Sequence, residues 1–349
     1  MSRKLRYALT VGLSLALVGW VVYKVRHNPE WRNFDFSQFQ AMLLRLDYRF
    51  LLVALFAIYS TYLLRSLRWR EFLMPIKMTS ITNLFTATVI GFGGLALLGR
   101  PGELVRPYLI SRKEAMPVTT QMAVWVLERV YDLSMIIVIV GGVMFFSLDA
   151  EDLSPGKTRA LHYLRTAGLS ALVMTLFGIG ALGLFRRYWN TLVPWMMGRL
   201  QFLPGSLVKG LRSICEDFGQ GLSSLRSSRA FLMGLLYTTL VWLSISLGYF
   251  VTLRAFGPPL SEFSFAAAVT VMGFAIGGSL LQVPAIGGGT QVFTIIALTE
   301  VFDVRPEAAA SAALVLWLLT FVAVVPLALI LLFRERLSLR KLRLLAATE

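Results

Sequence analysis

Runs of apolar residues long enough to cross a bilayer recur along this 349-residue chain and set the strongest limit on its fold. A helix of about 20 apolar residues spans the hydrocarbon core of a membrane. The first run is YALTVGLSLALVGWVVYKV at residues 7–25, and because it has no small-residue cleavage site we interpret it as a retained anchor. Only 15% of the residues are charged, against about 25% in ordinary globular domains. The sequence therefore predicts an all-α, polytopic membrane helix bundle.

We predict one integral membrane domain over residues 1–349, with about six to eight transmembrane helices and one or two re-entrant hairpins. The predicted spans lie near residues 7–25, 48–66, 118–147, 162–185, 230–254, 263–283, 288–302 and 308–333. Residues 80–98 are predicted to be re-entrant, because basic segments lie on both sides of them. Residues 207–226 are predicted to form a cytoplasmic amphipathic helix, since leucine, isoleucine and phenylalanine recur there at spacings of three and four.

The net charge of +15 is concentrated between the apolar runs. One basic segment follows the second run and carries Arg65, Arg68, Arg70 and Lys77, whereas the loop with Asp149 and Glu151 is acidic. Under the positive-inside rule the basic segments are cytoplasmic and the acidic loop lies outside. We therefore expect a multi-pass protein with both termini in the cytoplasm, and no nucleic-acid partner.

Two glycine-rich breaks interrupt the apolar pattern. The sequence GFGGLALLGRPGE begins at Gly91 and GFAIGGSLLQVPAIGGG begins at Gly273, 182 residues later. Irregular backbone at membrane depth is stable only where protein or water satisfies its polar groups, so both breaks are expected to line a cavity. The likeness of the breaks suggests an inverted repeat, as in secondary transporters. Residues 263–302 are compatible with two spans or with a second hairpin, and small residues for close helix packing are the plainer alternative.

Charged residues inside the apolar pattern are the candidate site. Arg100, Glu103 and Arg106 are spaced by three, which predicts that they lie along one side of a helix beginning after Pro101 and that they bind phosphate or lipid headgroups. Glu128, Arg129 and Asp132 lie within the predicted span 118–147. Ionisable groups in a membrane normally face a bundle interior or a wet cavity. We expect them in a substrate cavity, or in a structural ion pair with Arg100 or Arg106.

Three motifs in this order resemble the flippase-like membrane domain of bacterial lysylphosphatidylglycerol synthases: GRPGE at 99–103, ERVYD at 128–132 and PAIGGG at 284–289. The resemblance implies movement of a polar lipid between leaflets of the inner membrane. It also implies a headgroup site formed by Arg100, Glu103, Glu128, Arg129, Asp132 and the turn Gly287, Gly288 and Gly289. Family members often have an acidic residue after this turn, whereas this chain has Thr290 and Gln291. A neutral amide at Gln291 disfavours a cationic, aminoacylated lipid.

We therefore predict a lipid transporter of the cell inner membrane that is not an enzyme, with no catalytic residue, no metal and no cofactor. The synthases carry an aminoacyl-transferase domain, but only 16 residues follow Phe333 here, so we do not expect the chain to make the lipid. Two alternatives stay open: a membrane glycosyl- or phospho-transferase acting on a lipid carrier, and an accessory subunit of a lipid or envelope biosynthesis enzyme. Expected partners are membrane lipids, with a homo-oligomer or a lipid-biosynthesis enzyme as further candidates.

Overall fold

The computed structural model describes residues 29–146, 227–279, 282–283 and 287–335, together with isolated positions between residues 166 and 219. The predicted helices at 7–25, 162–185 and 207–226 lie outside the described residues, apart from a few of those isolated positions. Within the described ranges the chain is helical except for one pair of two-residue strands.

The described elements are named in chain order. They are α1 (Pro29–Arg32), α2 (Phe36–Leu44), α3 (Tyr48–Leu73), α4 (Ile81–Leu98), α5 (Val105–Glu114), α6 (Val118–Phe146), α7 (Ser228–Arg254), α8 (Phe265–Gly278), β1 (Gln282–Val283), β2 (Gly287–Gly288), α9 (Gly289–Ile296), α10 (Pro306–Trp317) and α11 (Val324–Arg334). A 3₁₀ turn at Arg100–Leu104 precedes α5, and π-helical turns at Ala297–Val301 and Leu318–Val322 follow α9 and α10.

Four helical stretches are long and apolar enough to cross a membrane: Tyr48–Leu73, Ile81–Leu98, Ser228–Arg254 and Pro306–Arg334. Helix α6 has 29 residues but carries Glu128, Arg129 and Asp132 near its middle. The chain is thus a multi-pass helical membrane protein, the coarse fold class that the sequence predicts. Helix α3 continues seven residues beyond the predicted span 48–66, and that extension matters for the site.

Helices α3 and α7 form a closely packed antiparallel pair. At one end the Asp47 backbone N–H donates to the Ala255 carbonyl at 3.0 Å, and at the other end Arg229 lies 3.6 Å from Glu71. Gly248 of α7 allows close approach, because a Cβ there would lie 2.9 Å from the Ile58 side chain. The pair fixes the rotation of α3 and therefore where its polar face points.

Residues 80–98, which were predicted to form a re-entrant hairpin by themselves, instead contain the single continuous helix α4. Helix α4, the 3₁₀ turn and α5 together form the first hairpin (residues 81–114). The chain reverses at Gly99, whose φ of 72° favours glycine, and Gly102 packs so closely that a Cβ there would lie 2.2 Å from the Gly94 carbonyl oxygen. The open ends meet where the Asn83 amide donates to Glu114 at 2.7 Å. The hairpin therefore begins and ends at the same end of the molecule, where α3 ends and α7 begins.

Helix α8, the β1–β2 pair and α9 form the second hairpin (residues 265–301). A Cβ on Gly278 would lie 2.3 Å from the Gly289 carbonyl oxygen, so the arms touch next to the turn. The rings of Phe263 and Phe302, which flank the hairpin, are 5.0 Å apart. Segments 263–283 and 288–302 are thus the two arms of one hairpin, and its open ends lie opposite those of the first hairpin.

Among the described elements, one order occurs twice in opposite directions. Helix α3, the first hairpin and α6 form the first set, and α7, the second hairpin and the α10–α11 stretch form the second set, with residues 147–226 between them. Each hairpin packs on the last long helix of the other half: Gly93 lies against Ala328 of α11, and Gly273 lies against Val140 of α6. The glycines that begin the two breaks, Gly91 and Gly273, do not make equivalent contacts, however. Gly273 packs on the other half of the chain, whereas Gly91 packs on Arg106 of its own hairpin.

Candidate functional site

Two basic residues of α3 face two acidic residues of α6. Arg65 and Arg68 are one helical turn apart, as are Glu128 and Asp132, so each pair shares a helix face. Arg68 approaches Glu128 at 2.6 Å and Asp132 at 2.7 Å, and Arg65 approaches the same two carboxylates at 3.3 and 3.2 Å. This four-residue network joins the two helices inside the bundle.

Arg106 and Arg129 complete the ion-pair cluster, which we define as Arg65, Arg68, Arg106, Glu128, Arg129 and Asp132. Arg106 of α5 lies 2.9 Å from the Glu128 carboxylate and stacks over the Trp69 ring at 4.1 Å. Arg129 lies 3.3 Å from Glu128 and 3.2 Å from Asp132. The guanidinium groups therefore surround both carboxylates on several sides.

Helix α7 supplies neutral partners to the cluster. Arg68 donates to the Thr238 hydroxyl at 2.8 Å, and the Trp242 indole donates to Asp132 at 3.2 Å. The Arg68 side chain is 0% exposed and that of Glu128 is 1% exposed, whereas 37% of the Arg129 side chain is exposed. Arg129 is therefore the member of the cluster through which an outside molecule can reach it.

A small polar cavity lies beside the exposed side of the cluster. Its lining residues are Gly91, Phe92, Leu95, Glu103, Arg106, Trp125 and Arg129, and its volume is about 30 Å³. The cavity brings together three residues that the sequence predicted: Glu103, Arg106 and Arg129. Its volume is enough for about two water molecules, so a larger group enters only when the surrounding helices move apart.

A second cavity of about 160 Å³, which we call the inner cavity, borders the same face of α4. Its walls are mainly apolar and aromatic, and Arg65 is its charged group. Phe92 and Leu95 line both cavities, and the Arg65 guanidinium lies 5.0 Å from the Phe92 ring centre. One face of α4 therefore separates the two spaces, and the ion-pair cluster reaches both.

The other predicted site residues are placed differently. The side chain of Arg100 lies outside the described residues, and the expected regular helix through Arg100, Glu103 and Arg106 is interrupted by the 3₁₀ turn. Gly287 and Gly288 form β2 and Gly289 begins α9, and Gly288 has φ 104°. The Gln291 side chain accepts a hydrogen bond from the Gly288 N–H at 2.6 Å, so it caps the start of α9.

The interpretation of Arg65 and Arg68 as part of a cytoplasmic basic segment is wrong. Both side chains are buried, because α3 runs on to Leu73 and its last turns pack inside the bundle. The spacing of three between the arginines, followed by the buried aromatics Trp69 and Phe72, was a signal of an inward-facing stripe. Charge counting alone missed this signal, because it treats every arginine near the end of an apolar run as a flank.

The arrangement is suited to binding an anion. Among the described residues of the cluster, four guanidinium groups face two carboxylates, which leaves two positive charges in excess. Arginine does not lose its proton in proteins, and the Nε atoms of Arg106 and Arg129 have no hydrogen-bond partner within the described structure. Glu128 and Asp132 already accept bonds from several arginines. In the described ranges no group of His, Cys, Asp and Glu side chains is arranged to hold a metal ion.

These features define a class: a multi-pass helical membrane protein with an arginine-rich ion-pair cluster buried among its helices. The chain belongs to the family described as the lysylphosphatidylglycerol synthase TM region, whose model matches residues 7–328. This match confirms the family that the motifs GRPGE, ERVYD and PAIGGG suggest.

One curated relative is the glycosyltransferase AglD of Haloferax volcanii. It is 26% identical over 276 residues, which cover 72% of this chain and 43% of AglD. The chain thus spans less than half the length of that relative. No solved structure matches the chain.

Proposed function

We propose that this protein moves a polar lipid between the leaflets of the bacterial inner membrane. The lipid headgroup binds beside the ion-pair cluster while its hydrocarbon chains stay in the bilayer. The observation that carries the proposal is the excess of positive charge inside a bundle of membrane-length helices, with Arg129 partly exposed to a cavity. Family membership agrees with a lipid as substrate.

The excess positive charge of the ion-pair cluster indicates which class of substrate it binds. Buried positive charge without a counter-ion is costly, and the planar guanidinium fork of arginine fits phosphate oxygens. When Glu103 on the cavity wall is counted with the ion-pair cluster, the described charged groups have an excess of one positive charge. One phosphodiester balances that charge. The substrate class is therefore a phospholipid, a phosphate-bearing glycolipid or a sugar-linked polyprenyl phosphate whose phosphodiester contacts Arg106 and Arg129.

The two hairpins form the proposed path of the lipid headgroup across the membrane. We propose that both are re-entrant: the first enters from the cytoplasm, the second enters from the outside, and together they form an inverted repeat. Helix α8 has 14 residues, about 21 Å of helix, which is shorter than the hydrocarbon core of about 30 Å. The turn of the second hairpin then lies within the membrane depth. Helix α4 is longer, with 18 residues, so re-entry of the first hairpin is supported by the contact of Asn83 with Glu114, which puts both of its ends at one end of the bundle. Phe92 and Leu95 separate the polar cavity from the inner cavity.

One observation favours a second candidate function. The relative AglD is called a glycosyltransferase, so a role in sugar transfer to a lipid carrier, alone or as an accessory subunit, is the alternative. Against catalysis by this chain, Glu128 and Asp132 are each bound by several arginines. A carboxylate held in this way is a poor general acid or base, because protonation would break its ion pairs.

The test is lipid scrambling by purified protein in liposomes that contain fluorescent phospholipid or polyprenyl-phosphate probes. Wild type is expected to accelerate crossing for at least one phosphate-bearing probe. Arg129→Gln removes the exposed cation and is expected to slow that crossing at least tenfold, since one lost charge-assisted contact costs about 1.5–3 kcal/mol. Because Arg129 is the exposed member of the cluster, the thermal stability of this variant is expected to change little.

Arg254→Gln is the matched control. It neutralises an exposed arginine at the far end of α7, beside Phe250, and is expected to leave crossing unchanged. No acceleration by wild type for any probe, native lipid extracts included, would reject the transporter. Sugar transfer by the purified chain to a lipid-phosphate acceptor would favour the glycosyltransferase instead.

A further inference from the structure

Another cavity lies far from the ion-pair cluster, at the opposite end of the bundle. Its volume is about 350 Å³. One wall is a face of α2 with residues spaced i, i+3, i+4 and i+7: Gln38, Ala41, Met42 and Arg45. The other walls are Phe256, Gly257, Pro258 and Leu260, which follow α7, and Ala308 of α10. We call this space the end cavity.

Helix α2 is held against α10 by hydrogen bonds, and its Met42 and Leu43 also pack against the hydrophobic core. The Asp35 N–H donates to Glu307 at 3.0 Å, Ser311 donates to the Phe39 carbonyl at 3.3 Å, and Arg305 donates to Gln38 at 3.3 Å. Asp35 also caps α2, and hydrogen bonds from Ser37 lower the pKa of its carboxyl group. The fixed helix leaves a gap between itself and residues 256–260, and this gap is the end cavity.

The position and surface of α2 indicate a bilayer boundary. The cavity adjoins the ends of α3 and α7, where Asp47 bonds to Ala255. Helix α2 has no buried residue, and it exposes 67% of Phe36 and 79% of Leu44. An exposed apolar face at the ends of membrane helices is typical of a helix that lies in the headgroup layer. Hydrocarbon is therefore available at the mouth of the cavity.

We propose that the end cavity is a binding site for one phospholipid with a net negative headgroup. The floor is apolar and buried, formed by Phe256, Leu260 and Ala308, and it takes the first part of an acyl chain. Arg45 and Gln38 on the rim bind the phosphate, because a guanidinium and an amide donate to its oxygens. The site does not depend on the proposed transport activity, since none of its lining residues belongs to the ion-pair cluster.

Gly257 offers a way to fill the cavity without disturbing the fold. A Cβ on Gly257 would meet no atom within 4 Å, so Gly257→Leu places a side chain into open space. Gly142 of α6 has the same free surroundings and does not line the cavity, which makes Gly142→Leu the matched control. For the charge, Arg45→Gln is paired with Arg49→Gln, an exposed arginine that is also outside the cavity lining.

The experiment uses the full chain in vesicles with equal amounts of phosphatidylglycerol and phosphatidylcholine. A photoreactive acyl chain is carried by one lipid or by the other, and mass spectrometry measures labelling of the α2 and 256–260 peptides. In wild type we expect labelling by phosphatidylglycerol to exceed labelling by phosphatidylcholine about tenfold, the effect of one charge-assisted contact. Arg45→Gln should bring this ratio close to one, and Gly257→Leu should reduce labelling of both peptides several-fold.

Arg49→Gln and Gly142→Leu should match wild type. Equal labelling by both lipids in wild type, or a ratio that Arg45→Gln leaves unchanged, would overturn the anionic headgroup. Labelling that Gly257→Leu does not reduce would overturn the cavity as the place where the chain lies. The scrambling assay on the same variants is a separate measurement, so failure of this site is distinguishable from failure of the transporter.

Discussion

At the scale of single residues, two kinds of arginine occur in one cluster. Arg68 is fully buried and contacts both carboxylates, so its role is to hold α3 against α6. Arg129 contacts the same carboxylates but is partly exposed to the polar cavity. Removal of one partner from a buried ion pair leaves an uncompensated charge, which is costly, whereas exposed pairs contribute little. Stability and transport should therefore respond to different arginines.

We predict that Arg68→Met lowers the free energy of unfolding by about 3–5 kcal/mol, because Asp132 loses its closest cation. Thermal unfolding of the protein in detergent measures the change. The control is Lys113→Met, which breaks the more exposed pair with Glu335 and should cost less than about 1 kcal/mol. Equal losses in the two variants would mean that the buried network does not stabilise the bundle.

At the scale of elements, the hairpins depend on the particular glycines that lie where the two arms touch. The number of glycines in the segment matters less. Gly277 and Gly278 are neighbours at the end of α8, yet only Gly278 touches the returning arm. A methyl group at Gly278 would overlap the Gly289 carbonyl oxygen, whereas one at Gly277 would meet no atom within 4 Å. Substitution by alanine is therefore expected to change the free energy of unfolding in opposite directions at the two positions.

Gly278→Ala should destabilise the protein by about 1–3 kcal/mol, because the arms of the second hairpin must separate to admit the side chain. Gly277→Ala should be neutral or stabilising by up to about 1 kcal/mol, since alanine loses less backbone entropy in a helix. Thermal unfolding of both variants decides the matter. A loss of equal size in both would show that helix flexibility, and not the close contact, accounts for the glycines.

At the scale of the whole molecule, the two hairpins open at opposite ends of the bundle. On the proposal that both hairpins are re-entrant, we expect the ends of each hairpin to be accessible from one side of the membrane only. Met78 and Pro117 flank the first hairpin and are exposed, and Glu262 and Arg305 flank the second and are exposed. The positive-inside rule predicts that the first hairpin opens on the cytoplasmic side.

In a Cys215→Ser background, cysteines placed at Met78 and Pro117 should react with a membrane-impermeant thiol reagent only from the cytoplasmic side. Cysteines at Glu262 and Arg305 should react only from the opposite side. Labelling of intact cells and of inverted vesicles provides the comparison. Reaction of Met78→Cys and Pro117→Cys from different sides would show that residues 81–114 cross the membrane.

The sequence determined the class of the protein and the presence of its acidic pair. Long apolar runs fix a helical membrane fold, because backbone polar groups in lipid must be satisfied within helices. The negative charges of Glu128 and Asp132 within such a run require positively charged partners, and Arg106 was one of the predicted partners. The glycine breaks likewise predicted chain reversals, and the first hairpin turns at Gly99 within its break.

Only the tertiary structure decided which cations provide that compensation and where the cavities lie. Arg65 and Arg68 are 60 or more residues from Glu128 and Asp132 in the chain. Their pairing depends on the rotation of α3, which packing against α7 fixes through contacts such as Gly248 with Ile58. No local pattern encodes that rotation, because hydropathy records how apolar a helix is and not which neighbour each face meets. For the same reason the end cavity, formed by α2, residues 256–260 and α10, has no signature in the sequence of any one of them.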